Sequence, residues 1–248
     1  MSDLPEKERE LKFTDHLIEL RTRLIRIMVA IGVVFFGLFH FSNEIYNIVS
    51  LPLTAQLPPG STLIATQITS TFLAPLKLTF YVSLFLCVPY ILHHLWAFIV
   101  PALYQHEKKI ALPVLISSIF LFCLGIAFVY FIALPLVLFP FFLGAGPTNV
   151  AVMPDIDHYL DLVLMLFLVF GFAFEIPIIT LLLVASGVTS INILIEKRPY
   201  IIVGCFAVSM FLTPPDALSQ IVLAIPMWLL FETGIWLTRL LKVGQPTS

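Results

Sequence analysis

Charge is scarce in this sequence. Of 248 residues only 13 are Lys or Arg and 15 are Asp or Glu, 11% in all, against about 25% in an ordinary soluble domain. A chain so poor in charge cannot clothe a water-facing surface, which excludes a soluble globular protein. The net charge of −2 leaves no basic face for a phosphate backbone, so nucleic acid is excluded as a partner. Only three cysteines occur, Cys87, Cys123 and Cys205. All lie inside apolar runs, where a thiol packs as a small hydrophobe, so no disulfide framework is expected. The six histidines offer no ligand spacing: His93 and His94 are adjacent, about 100° apart on a helix, and no HxxxH stands near them. No nucleophile elbow, phosphate-binding glycine loop or closely spaced carboxylate pair appears. An enzyme is therefore not expected, nor a metal, nor a cofactor. There is no evident internal repeat of the kind found in many secondary transporters, and no cleavable leader is expected. Residues 1–12 carry charges of both signs and the first apolar run begins only near Leu24.

What the chain does have is apolar length. Sixty per cent of its residues are hydrophobic and its mean hydropathy is +1.04. A hydrocarbon layer of about 30 Å takes roughly 20 helical residues to cross. Read at that scale, residues 24–237 give six spans: Leu24–Phe41, Leu73–Phe98, Ile110–Leu134, Tyr159–Gly187, Tyr200–Leu212 and Ala217–Leu237. Residues 1–23 form an amphipathic N-terminal segment and 238–248 a tail, the whole making one integral membrane domain. The last two spans are short neighbours; 13 residues at about 1.5 Å each reach only about 20 Å, so the bilayer must thin around them or other helices must shield them. Pro89, Pro113, Pro177 and Pro226 interrupt the spans. Each removes a ladder hydrogen bond, which predicts bent helices around a concavity and not a straight bundle.

Lys and Arg sort the loops. All of them except Lys77 fall before or at Arg26, in 97–109, in 188–199 or in the tail, while 43–72, 135–158 and 213–216 carry none once Lys77 is set aside as a snorkelling residue. The positive-inside rule then places both termini in the cytoplasm, which an even number of spans requires. The outer loop 43–72 carries Pro52 and the turn sequence Pro58-Pro59-Gly60.

Three carboxylates stand out. Glu175 falls mid-membrane, two residues before Pro177, where a charge costs roughly 2.5–3.5 kcal/mol. It either faces a cavity, partner or water, or sits protonated against backbone that Pro177 frees. Glu19 shares a polar helix face with Asp15 and Arg23, which reads either as an i, i+4 ladder with Arg23 or as a site. Glu107 is by itself an ordinary loop charge ahead of Lys108 and Lys109. Asp161 and Glu232 lie near span ends, within reach of headgroups and water.

Six blocks taken together resemble the TatC family, the polytopic subunit of the twin-arginine protein translocase. They are HLIELRTRL (16–24), LPPGSTLIAT (57–66), WAFIVPALYQHEKK (96–109), FGFAFEIPI (170–178), KRPY (197–200) and LTPPDALSQIVLAIP (212–226), in order along nearly the whole chain. The resemblance implies a six-helix cup in the bacterial inner membrane that receives the paired-arginine signal peptides of folded cargo, with transport driven by the proton-motive force. It further implies that Glu19 and Glu107 bind the paired guanidinium groups, with Arg21 ordering Glu19 and Phe98 lying beside the signal. Bidentate carboxylate–guanidinium pairing supplies the chemistry. Single-span TatA-type and TatB-type subunits are then expected along spans five and six at Met210, Thr213 and Gln220, besides other copies of the chain and membrane lipid. Asp216 would sit at the outer rim, or serve only as an N-cap, and Pro52 would shape the outer loop. Glu175 would line the concavity. The alternative from the residues alone is a proton-coupled small-solute transporter with Glu175 as its proton site.

Overall fold

The computed structural model describes the backbone of residues 6–54, 64–67, 69–103, 111–136, 153, 155–212 and 217–241, and side chains from residue 17 onward within those stretches, leaving out 52–54, 99–103, 111 and 218. Among the described residues the fold is helical throughout: α1 (Glu6–Leu38), a 3-10 turn (Phe39–Phe41), α2 (Ser42–Thr54), α3 (Ser70–Leu86), α4 (Val88–Leu103), α5 (Ala111–Phe128) with a π-helical turn (Val129–Ala133), α6 (Ile156–Ala173), α7 (Ile176–Ala185), α8 (Ile191–Glu196), α9 (Arg198–Leu212) and α10 (Ala217–Leu240). Among the described residues an isolated β-bridge joins Ile64 to Asp155.

Among the described residues four stretches are long and apolar enough to cross a membrane: Leu17–Leu51, Leu112–Leu136, Ile156–Ala185 and Ser219–Leu240. A fifth is the pair α3 and α4, bent by 50° between Leu86 and Val88, and α9 is a shorter apolar helix. The six sequence-predicted spans all find helices. At 15 residues α9 is two longer than expected and still reaches only about 22 Å.

The described part of the amphipathic segment continues into the first span, as α1 runs without a break from Glu6 to Leu38. Two expectations need correction. The outer loop 43–72 does not begin at Asn43; helix α2 occupies Ser42–Thr54, so Pro52 stands in the last turn of a helix and not in a loop. Pro52 has no N–H for the Ile48 carbonyl four residues back, and the Tyr130 hydroxyl donates to that oxygen instead, at 3.3 Å. Tyr159 donates likewise to the Val49 carbonyl at 3.0 Å. Lys77, finally, does not merely snorkel: it forms an ion pair with Asp161 on α6.

Proline places two of the breaks. Pro89 cannot bond back to Phe85, and the chain turns at Cys87 before α4. Pro177 cannot bond back to Ala173, and a turn at Phe174–Glu175 separates α6 from α7. Pro135 has the same effect without a break: with its N–H gone, the preceding turn widens to the π form. Pro226, by contrast, is carried inside α10.

The fourth span forms the centre. Leu160, Val163, Leu166 and Phe170 of α6 are completely buried, packed against α3, α5 and the π turn. Close approach is set by two glycines. A β-carbon at Gly125 would stand 2.8 Å from the Phe170 carbonyl oxygen, and one at Gly171 would stand 2.6 Å from the Phe122 ring. α7 and α9 both pack on α10, and α1 lies along α3 and α4. The hydroxyls of Thr79, Thr180, Ser209 and Thr238 donate to carbonyls four residues back. This satisfies them inside their own helices, as an apolar surrounding requires.

Candidate functional site

Glu19 stands on the polar face of α1. Its carboxylate already holds a guanidinium. Arg23, one turn on, donates from Nε and Nη2 to Glu19 Oε1 at 2.9 and 2.6 Å. The spacing of four puts both groups on one helix face, while Arg21, two residues from Glu19, is turned about 200° away and is exposed. The ordering contact expected from Arg21 is thus made by Arg23.

Arg23 also reaches across to α4. Its Nη1 lies 3.4 Å from His94 Nδ1 and 3.4 Å from the His94 carbonyl oxygen, and its Nη2 lies 3.4 Å from the Ala97 carbonyl oxygen. The last acceptor is vacant in the helix ladder, since the residue four further on is Pro101. His94 is buried and stacks edge-on against Tyr90 with centroids 4.5 Å apart. Phe98, half-buried, is the next residue after Ala97. Glu19 and the segment bearing Phe98 are therefore stapled together by one side chain. Glu107 lies outside the described residues.

Glu175, at the turn between α6 and α7, is only 3% exposed. Neither carboxyl oxygen has a hydrogen-bond partner among the described residues. Ser118 of α5 lies beside it, with its hydroxyl oxygen accepting from Trp96 Nε1 at 3.0 Å. A carboxyl group in this setting is unsatisfied and needs a donor or water brought to it. The backbone turn that Pro177 frees does not supply one.

On the α9–α10 face Met210 is 63% exposed, open to a neighbouring helix or lipid. Gln220 donates from Nε2 to the Phe206 carbonyl oxygen at 3.2 Å and so ties α10 to α9. Thr213 and Asp216 lie outside the described residues. Near the basic end of the same pair, Arg198 Nη2 donates to Glu232 Oε2 at 2.6 Å, so Glu232 is paired and not simply turned to headgroups.

The opposite end is closed by a carboxylate cluster. Asp155 caps α6 by accepting from the backbone N–H groups of Asp157 and His158 through Oδ1. Through Oδ2 it accepts from the Thr66 hydroxyl at 2.5 Å and the Thr66 N–H at 3.1 Å. The Thr66 hydroxyl first, then the His158 N–H, holds this carboxyl well below the usual carboxylate range. Ser70 donates to Asp157 close by.

Sequence reasoning missed the Arg23–α4 contacts, the Lys77–Asp161 and Arg198–Glu232 pairs, and the Asp155 clasp. Each joins residues 34 to 89 positions apart, for which periodicity carries no signal. The one available hint was Pro101, whose missing N–H leaves an acceptor on α4. Among the described residues no group of three or more His, Cys, Asp or Glu could hold a metal ion, and all three cysteines are free thiols.

Long apolar helices, prolyl breaks and a carboxylate buried in the interior define a polytopic helical membrane protein. Comparison with known proteins sharpens that class. A family profile described as "Sec-independent protein translocase protein (TatC)" matches residues 15–226. TatC of Azotobacter chroococcum mcd 1 is 51% identical over 236 residues, 95% of this chain and 92% of the relative. TatC of Escherichia coli (strain K12) is 51% identical over 224 residues, 90% of this chain and 86% of the relative. A solved structure, "Crystal Structure of Twin Arginine Translocase Receptor- TatC", superposes with a TM-score of 0.81 at 38% identity, covering 92% of this chain and 99% of that one. The chain belongs to the TatC family. It is a membrane component of a Sec-independent protein translocase.

Proposed function

We propose that the chain is the signal-peptide receptor and core scaffold of a twin-arginine translocase. It crosses the bacterial cytoplasmic membrane six times as one domain with both termini inside, bent into a cup that receives the paired-arginine leader of folded cargo. The observation that carries this reading is the state of Glu19. Its carboxylate is about half exposed, lies in the basic cytoplasmic segment, and already grips a guanidinium with charge-assisted bonds of 2.6 and 2.9 Å. A carboxylate that holds one arginine in a part-dry setting has the chemistry to hold another. Glu107 follows α4 in sequence and supplies the second carboxylate, with Phe98 as the apolar wall beside the leader.

The scaffold half of the proposal rests on α9 and α10. Single-span TatA-type and TatB-type helices dock at Met210 and Gln220, with Thr213, which follows α9 in sequence, as a further contact, and further copies of the chain and lipid complete the assembly. Asp216 and Pro52 shape the outer rim. Glu175 lines the cup, where its unsatisfied carboxyl group draws a partner's polar side chain or water. The proton-motive force drives the transport step.

Site-specific crosslinking of a leader peptide to Glu19→Ala and Glu107→Ala tests the receptor role, with a lysine-for-arginine leader as control. Crosslinking and export undiminished in both variants would end the proposal.

A further inference from the structure

The Glu19 carboxylate in this structure is occupied by the chain's own Arg23. Both Nε and Nη2 of Arg23 donate to a single oxygen, Oε1, and the Arg23 side chain is the more sheltered of the two, 21% exposed against 46% for Glu19. A leader guanidinium arriving from solution therefore meets a carboxylate that is already partly neutralised. It must take the place of an internal cation.

The displaced group has somewhere to go. Nη1 and Nη2 of Arg23 lie 3.4 Å from three acceptors on α4: His94 Nδ1, the His94 carbonyl and the Ala97 carbonyl. Such distances are long for charge-assisted bonds, which prefer about 2.7–2.9 Å, so these contacts have room to shorten once Glu19 lets go. The Ala97 carbonyl is a standing acceptor, because Pro101 has no N–H to give it. His94 can accept at Nδ1 in the tautomer that carries its proton on Nε2, and Nε2 has no other partner among the described residues.

We infer that Arg23 is an internal counter-cation of the leader site. It occupies Glu19 in the empty receptor and passes to the α4 acceptors when a leader arginine binds, setting the affinity of the site below what Glu19 alone would give. The inference rests on the reading of Glu19 as an arginine-binding carboxylate. Breaking an exposed i, i+4 pair of this kind changes an equilibrium by about twofold to fivefold, and that is the attenuation expected here.

The test is equilibrium binding of a fluorescent leader peptide with paired arginines to the full chain in lipid nanodiscs. Arg23→Gln removes the competing charge and is expected to tighten binding about twofold to fivefold; Arg23→Lys, which keeps the charge, is expected to restore an affinity near that of the unaltered chain. A merely structural role for Arg23 predicts weaker binding, the opposite sign. Unchanged or weaker binding by Arg23→Gln with an undiminished melting temperature overturns the inference. Should Arg23→Gln fail to fold, His94→Ala serves: it leaves the Glu19 pair intact, removes one landing place and is expected to weaken binding about twofold, and no weakening overturns the inference. Glu19→Gln separates the two layers. If it leaves binding intact, the receptor proposal itself fails; if it abolishes binding while Arg23→Gln brings no gain, only the counter-cation fails.

Discussion

Gly125 on α5 lies directly beneath the Phe170 carbonyl on α6, so near that a β-carbon at Gly125 would stand 2.8 Å from the backbone oxygen. The same interface is locked from the other side by Gly171, whose missing side chain admits the ring of Phe122. Backbone cannot yield as a side-chain tip does. Gly125→Ala is expected to destabilise the protein by about 1–3 kcal/mol, seen as a lower melting temperature in detergent. Gly32→Ala is the control: nothing lies within 4 Å of a β-carbon there, so no loss is expected and helix propensity favours a small gain.

Arg198 and Glu232 are paired across α9 and α10 at 2.6 Å, 37% and 25% exposed. A double-mutant cycle of Arg198→Gln and Glu232→Gln is expected to give a coupling energy of about 1 kcal/mol, each single variant costing more than the pair's net worth because it strands the other charge. Additive effects on melting temperature would show that the two side chains act independently.

Asp155 gives a pH signature. Its carboxyl group is held below the ordinary range by Thr66 and His158. The folded pKa is thus lower than the unfolded one, so the stabilising contribution is complete above the unfolded carboxylate range and fades as pH falls through the depressed folded value. Mild acidification toward pH 5 is expected to leave the Ile64–Thr66 segment docked on α6, as read by proteolysis or amide exchange of that segment. Asp155→Asn is expected to loosen it at neutral pH, and an unchanged exchange rate would count against the clasp.

Glu175 is buried without a hydrogen-bond partner among the described residues, so replacing it with an uncharged isostere removes no bond that the structure contains. Glu175→Gln is expected to insert normally and melt at or above the temperature of the unaltered protein. On the proposed function its export activity falls, while purified protein in liposomes moves no small solute in either form. Saturable solute uptake abolished by Glu175→Gln would instead favour a proton-coupled transporter.

The helices were legible because apolar length is a property of composition: α6, α7 and α10 lie within a few residues of the expected spans. Helix α2 was not, since SNEIYNIVSLPLT mixes polar residues and a proline into a short helix whose last carbonyls depend on Tyr130 and Tyr159. Those tyrosines are remote in sequence. The same reason hid the partner of Lys77, 84 residues away. Glu19 and Arg23 were visible as an i, i+4 pair, and the structure contains that pair. What periodicity could not supply was α4, because two of the three acceptors there are backbone oxygens, which carry no sequence mark apart from Pro101, and the third, His94, lies 71 residues from Arg23.

From Leu17 to Leu51 the first span runs as one continuous stretch, pinned near one end by Arg23 and near the other by the hydroxyls that hold Ile48 and Val49. The two pins are about 40 Å apart along the axis. A tilt at Arg23 would be taken up by the tyrosine contacts at Ile48 and Val49 or by flexure at Phe39–Phe41, the short 3-10 turn that lies between the two pins.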